Sequence, residues 1–279
     1  MKLKYLGTAA AEAVPALFCE CETCKKSRLL GGKNIRTRSQ ALINDDLLVD
    51  YPADTYMHSI LHNIDLCKVK SCLITHSHED HFYPVEIAMR SNGCFAHIYS
   101  HNEPLVFYLD KCAKDMLDEV IEIRRIKECD VQTKLVSLGE PFETQGYTVT
   151  ALRAAHDPKS DPVVYIIGKD GKSIFYSNDT SEYPEESMDY LTKLDKPLDL
   201  ISLDCTEGAS HTEYVGHLNL WRCIDLRQKL IELGAADEHT VFVLNHFSHN
   251  GTDVVYDDFV KIAAEYDFVV SYDGMEIEI

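Results

Sequence analysis

The sequence predicts a mixed α/β (α+β) fold, built as one domain over residues 1–279, and three observations carry that prediction. Short apolar runs bounded by turn-forming residues recur along the whole chain, as β-strands do. Stretches of helical spacing follow several of them, so that each half of the chain is rich in strands followed by helices. Many of the strand-like runs also stop at histidine or aspartate, the placement expected of chemistry at the C-terminal ends of strands. With 45% hydrophobic and 26% charged residues, the chain can bury a large core. No apolar run approaches the roughly 20 residues needed to span a bilayer, so a membrane protein is not expected.

Leu3 to Leu6 reads as the first strand, ending at Gly7-Thr8. A small-residue loop then leads to Cys19-Glu20-Cys21-Glu22-Thr23-Cys24, three thiols spaced to converge on one ion but one ligand short of a closed tetrahedral site. Ser39–Ile43 and Leu47–Asp50 read as a hairpin turned at Asn44-Asp45-Asp46, with Asp50 closing its second strand, and a helix is expected over Tyr56–Asn63. Lys70–Thr75 is a buried strand delivering Thr75-His76-Ser77-His78-Glu79-Asp80-His81. That run packs imidazoles and carboxylates together, and these are the usual ligands of zinc and other first-row divalent ions. A purely structural loop gains nothing from such a concentration. Pro84–Arg90 has helical spacing with proline in the first turn, His97–Ser100 reads as a strand, and Glu103–Glu119 reads as a helix.

From Lys134 the pattern turns to strands at Lys134–Leu138, Tyr147–Ala155, Val163–Gly168 and Ser173–Tyr176, with Gly146 and Asp170-Gly171 as turns. His156 follows the second of these and Asp179 the fourth. Leu198–Leu203 ends at Asp204, a polar loop carries His211 and His217, and Leu218–Leu233 reads as a helix stopped by Gly234. Val241–Leu244 delivers Asn245-His246-Phe247-Ser248-His249. The chain closes on two strands, Phe268–Tyr272 and Met275–Ile279, read as a hairpin about Asp273-Gly274.

A formal charge of −19, from 46 acidic against 27 basic residues, repels a nucleic-acid backbone. The best basic patch, Lys25-Lys26-Ser27-Arg28 through Arg36-Thr37-Arg38, is modest, and Arg36 and Arg38 are candidates either to contact a phosphate or to sit in solvent. A small anionic substrate stays compatible with the charge, because bound divalent cations invert the local field. The N-terminus, Met1-Lys2-Leu3-Lys4-Tyr5-Leu6-Gly7, has no signal-peptide apolar region, so a cytoplasmic location is expected. The ten cysteines are then expected to be reduced or metal-bound rather than paired.

The pattern His76-x-His78-x-Asp80-His81, followed by His156, Asp179 and His246, resembles the metallo-β-lactamase superfamily over most of the chain. The resemblance implies a four-layer αββα sandwich of two mixed β-sheets with a binuclear metal centre at one edge. It assigns His76, His78 and His156 to one metal, Asp80, His81 and His246 to the other, and Asp179 to bridge them. Glu79 falls outside the ligand set. Cys19, Cys21 and Cys24, with His249 three residues after His246, resemble the PhnP-like cyclic phosphodiesterase branch, where three cysteines and a histidine bind a separate structural zinc. His217 is similar in placement to the histidine that assists phosphodiester cleavage there, so Asp80 and His217 are the residues expected to act in catalysis. Asp204, at a strand end, is expected to orient a ligand histidine from behind.

The expected function is therefore a metal-dependent hydrolase, a phosphodiesterase cleaving a small cyclic or nucleotide-like phosphodiester by a metal-bridging hydroxide. It would use two catalytic divalent metals, zinc or manganese, and one structural zinc. Its partner would be the small substrate, with no nucleic acid and no membrane; the resemblance suggests a homodimer. One alternative keeps the metals and changes the bond to an ester, lactone or amide. Another is a non-enzymatic accessory or carrier protein resembling the PqqB-like members. Similarity to the RNA-processing relatives is weaker, because the chain is acidic and has no evident basic, glycine-rich arm.

Overall fold

The fold was analysed in a computed structural model that describes residues 1–91, 93–126, 130–250 and 254–279. The first half of the chain supplies β1 (Lys2–Gly7), α1 (Glu22–Leu30), β2 (Gln40–Ile43), β3 (Leu47–Val49), α2 (Thr55–Leu61), β4 (Ser71–Leu73), β5 (Leu105–Leu109), α3 (Lys111–Ile123) and β6 (Val131–Leu135). The second half supplies β7 (Phe142–Thr144), β8 (Tyr147–Arg153), β9 (Val163–Lys169), β10 (Lys172–Ser177), α4 (Glu185–Leu191), β11 (Leu200–Asp204), α5 (Leu220–Glu232), β12 (Val241–Asn245), α6 (Tyr256–Ala264), β13 (Val269–Val270) and β14 (Glu276–Glu278).

These strands form two seven-stranded sheets, ordered β14-β1-β2-β3-β4-β5-β6 and β13-β12-β11-β10-β9-β8-β7. Each is antiparallel at one end and parallel at the other: β14 to β3 alternate, as do β7 to β10, whereas β3 to β6 and β10 to β13 run parallel. Leu3, Tyr5, Ile43 and Val49 from one sheet meet Tyr147, Tyr165, Tyr176 and Val243 from the other in the central core. The outer face of the first sheet is covered by Ala113 and Leu117 of α3 together with Ile87. That of the second is covered by α4, α5 and α6 through Met188, Leu191, Leu226, Leu230, Phe259 and Ala263. The layers are thus αββα.

Several expectations need correction. The stretch read as one helix from residue 103 is β5 followed by α3. Leu105-Val106-Phe107-Tyr108-Leu109 pairs on both sides, with β4 and β6, and a strand in that position buries both faces. Asp110 then starts the helix by accepting the Cys112 and Ala113 N–H groups at 2.6 and 3.0 Å. Residues 97–100 form no strand, Pro84–Arg90 is a 3-10 helix, and the strand expected at 134–138 lies three residues earlier. The terminal hairpin is absent too: β13 belongs to the second sheet and β14 to the first, so Asp273-Gly274 passes the chain between sheets. Asp273 pins that passage by accepting bonds from Thr8 Oγ1 at 2.7 Å and the Thr37 N–H at 2.6 Å. The expected β2–β3 hairpin is present, and Asn44 and Asp45 both take positive φ in its turn.

The C-terminal ends of β8, β10, β11 and β12 open on one edge of the second sheet, because these strands run in one direction. Backbone bonds bring the first sheet to that edge: the Val163 N–H donates to Thr75 O at 2.9 Å, and the Phe247 N–H to Thr8 O at 2.8 Å.

Candidate active site

Every metal-ligand candidate from the sequence arrives at this edge. Thr75 leaves β4 and leads into His76-x-His78-x-Asp80-His81, while His156, Asp179 and His246 follow β8, β10 and β12 within three residues. Three residues here, Asp50, Asp179 and His246, hold left-handed backbone at φ of 66°, 54° and 63°. Strained backbone of this kind is kept where side-chain direction matters.

The ligand atoms fall into two overlapping groups, His76, His78, His156 and Asp179, and Asp80, His81, His246 and Asp179. In the first, His78 Nδ1 lies 3.0 Å from His76 Nε2 and 3.2 Å from His156 Nε2, and His76 Nε2 lies 3.1 Å from Asp179 Oδ2. In the second, His81 Nε2 is 3.1 Å from His246 Nε2, 3.3 Å from Asp80 Oδ2 and 3.0 Å from Asp179 Oδ2. One carboxylate oxygen of Asp179 therefore serves both groups.

The groups behind the imidazoles show what this convergence fits. His81 Nδ1 donates to Asp50 Oδ2 at 2.7 Å. Thr206 Oγ1 donates to Asp204 Oδ2 at 3.2 Å, so it accepts from His246 Nδ1 at 2.8 Å. Thr75 Oγ1 donates to Asp50 Oδ1 and so accepts from His76 Nδ1 at 3.1 Å, while His78 turns Nε2 toward Asp157 Oδ2 at 3.4 Å. In their neutral forms His76, His81 and His246 each direct a nitrogen lone pair at other ring nitrogens and at carboxylate oxygens. Such a set repels itself and fits a cation at each group; the outer hydrogen bonds are the kind that orient metal-ligating histidines.

Electrostatics follow the same geometry. Burial lowers His76 to about 4 and also lowers His156. For His81 burial acts to lower the pKa, but Asp80 and Asp50 outweigh it and raise it well above its ordinary value. Asp80 and Asp179 are both held low: burial opposes ionisation, and His81 for the one and His246 for the other override it.

His217 lines the same cleft. Its Nδ1 lies 3.0 Å from Asp204 Oδ2 and 3.2 Å from Asp179 Oδ1. Burial disfavours its charge, yet Asp204 pushes its pKa up to about 9. Asp204 is fully engaged: beyond His217 and Thr206 Oγ1 it accepts backbone N–H groups of Thr180, Thr206 and Leu218 at 3.3, 3.0 and 3.1 Å. It orients His217 directly and His246 through Thr206. The cleft measures about 490 Å³ and includes Glu12, Thr206, Glu207, Tyr214, Ser248 and Asn250 in its lining.

The second cluster expected from sequence also assembles. Cys19 and Cys21 place Sγ 3.5 and 3.4 Å from His249 Nδ1, and Cys24 completes the group. Backbone N–H groups of Cys21, Cys24 and Ala16 donate to the sulfurs of Cys19, Cys21 and Cys24 at 3.4, 3.4 and 3.2 Å. The bond from the Cys21 N–H lowers the Cys19 pKa, while burial pushes Cys24 up to about 12. All nine described cysteines are unpaired, and Cys129 lies outside the described residues.

Arg36 and Arg38 do not reach the cleft. Arg36 is buried, donating from Nη1 to Thr8 Oγ1 and Ser271 O at 2.8 Å each with its guanidinium over the Phe247 ring; Arg38 pairs with Asp54. Sequence reasoning missed Asp50, Asp157, Thr206, Glu12 and Glu207. Only Asp50 had a legible signal, a carboxylate at the end of a strand beside the one that delivers the histidines.

Two mixed sheets between helical layers, with paired histidine and aspartate clusters at one edge, define a metallo-β-lactamase fold. The chain belongs to the β-lactamase superfamily: the profile of the beta-lactamase superfamily domain matches residues 52–247. Among curated proteins no sequence matches the chain significantly. Among solved structures it is similar to a diphosphatase from the PhnP family, with a TM-score of 0.77 at 20% identity over 100% of this chain and 96% of that one. Zn²⁺-bound PqqB from Methylobacterium extorquens gives a TM-score of 0.77 at 17% identity, with 100% of both chains covered. The short form of human tRNase Z gives 0.68 at 18% identity, covering 100% of this chain and 99% of that one. At these identities the likeness is one of fold. Among the described residues no helix is long and apolar enough to cross a membrane.

Proposed function

We propose that the protein is a metal-dependent phosphodiesterase acting on a small cyclic or nucleotide-like phosphodiester. The observation that carries this reading is the pair of ligand groups sharing Asp179 Oδ2 at the floor of a cleft that also holds His217. His76, His78 and His156 would hold one divalent ion, Asp80, His81 and His246 the other, with Asp179 common to both. When bound, such a pair makes water nucleophilic at neutral pH and offsets negative charge on a phosphoryl oxygen. Zinc and manganese both suit this mixed set of imidazoles and carboxylates. Asp204 holds His217 through Nδ1 and favours its protonated form, so that Nε2 carries a proton for the departing alkoxide. Cys19, Cys21, Cys24 and His249 would hold a structural zinc that ties the N-terminal loop to the segment after β12.

The complete ligand set supports catalysis over a carrier role, and the acidic chain supports a small substrate over RNA. The test is turnover of bis(p-nitrophenyl) phosphate by protein loaded with Mn²⁺ or Zn²⁺, beside a lactone panel, with metal content measured. Turnover of the diester and a loss of roughly a hundred-fold or more in Asp179→Ala are expected. Absence of diester turnover in metal-replete protein, or lactones as the better substrates, would sink the assignment.

A further inference from the structure

The cleft has a property that the candidate metal ligands do not explain. Four carboxylates line it, those of Glu12, Asp80, Asp179 and Glu207, and no lysine or arginine appears among the described lining residues. Asp80 and Asp179 belong to the ligand set; Glu12 and Glu207 do not. Two divalent ions would bring four positive charges against these four carboxylates, and outside the ligand set His217 is the one described lining residue able to add a further positive charge. Arg222 lies outside the lining: its Nη1 donates to the carbonyl oxygens of Tyr214 at 2.6 Å and His217 at 3.2 Å, and its charge still acts on Glu207.

The two extra carboxylates differ in what holds them. Glu12 is latched: Oε1 accepts from Ser248 Oγ and, at 3.4 Å, from Asn250 Nδ2, and it lies 3.6 Å from His249 Nε2. Glu207 makes no side-chain hydrogen bond to any described residue; of the charges that act on it, His217 favours its ionised form most, and Asp204 and Glu12 oppose it. A carboxylate that no hydrogen bond holds, beside a substrate site, raises the cost of every further negative charge brought there, and a low-dielectric cleft magnifies the effect. Discrimination by such repulsion needs no added contact to the favoured substrate.

We infer that the cleft selects phosphodiesters with a single negative charge, and that Glu207, with Glu12 beside it, rejects substrates bearing further phosphate groups. This rests on the phosphodiesterase reading above and narrows it. Nucleoside polyphosphates, diphosphates and long nucleic acids are disfavoured, while a cyclic diester with neutral or cationic substituents is accepted.

The experiment compares kcat/KM of the metal-loaded protein for 2′,3′-cyclic AMP and for the same compound with a 5′-phosphate. Alongside it, calorimetry measures the Kd of 3′-AMP and of adenosine 3′,5′-bisphosphate. The phosphorylated partner is expected to be worse by roughly ten-fold or more in both measurements. Glu207→Gln is expected to narrow that ratio several-fold, and Glu207→Asp, which keeps the charge, to preserve it. Equal ratios in the unaltered protein, or a ratio insensitive to both Glu207→Gln and Glu12→Gln, would overturn the inference. If no diester is turned over, the phosphodiesterase reading fails, and the calorimetric ratio still decides the charge preference by itself.

Discussion

His81 is fully buried between acidic groups, and its orientation depends on one residue outside the ligand set. Asp50 accepts from His81 Nδ1 through Oδ2 and from the Thr75 N–H and hydroxyl through Oδ1 at 2.9 Å each. It therefore sets both the tautomer of the histidine and the start of the loop that carries it. Asp50→Asn keeps the shape but presents an amide whose oxygen and nitrogen cannot both serve these donors. Affinity for Zn²⁺, measured by competition with a chromogenic chelator, is expected to fall about 10- to 100-fold. An unchanged affinity would remove Asp50 from this role. The candidate ligands themselves were legible in the sequence, because His-x-His-x-Asp-His is a local pattern. Asp50 was read only as the end of a strand. Its partner is 31 residues away, and nothing local marks the contact.

Among the elements, the segment after β12 does double work: His246 faces the cleft with the histidine and aspartate groups, and His249 the cysteine cluster three residues later. Glu12 and the backbone bond from Ala10 N–H to Phe247 O at 3.0 Å tie the N-terminal loop to the same segment. Removing one sulfur therefore has two expected effects. Cys21→Ser should lose one metal ion per chain by elemental analysis and lower the melting temperature. A metal count equal to that of the unaltered protein would show that the cluster holds none. The cysteine spacing was readable in sequence and the family resemblance joined His249 to it; the loop geometry brings the four side chains together. The division of 103–123 into β5 and α3 was not readable. Leu105, Val106 and Leu109 fit a helical face as well as a strand, and pairing with β4 and β6 decides between them.

For the whole molecule, burial of unpaired ionisable groups sets the pH range of stability. His58 is fully buried, its ring nitrogens 2.6 Å from Gln40 Oε1 and 2.7 Å from Thr37 Oγ1, and burial lowers its pKa from 6.5 to about 4. The unfolded chain takes up this proton first as pH falls. The stability that neutral His58 contributes is therefore complete above 6.5 and lost progressively toward 4. The loss amounts to about 3 kcal/mol, and His58→Gln should flatten that part of the curve. Urea unfolding at pH 7 and 4.5 checks it: equal slopes for variant and unaltered protein would contradict the assignment. The sequence alone determined the superfamily pattern, the identity of the candidate ligand residues and the acidic character of the chain, since these reside in residue type and short spacing. Only the tertiary structure decided which sheet each terminal strand joins, that Arg36 and Arg38 are structural, and that Asp50, Thr206, Glu12 and Glu207 surround the site. Those facts depend on contacts between segments far apart in the chain, which packing of the two sheets brings together.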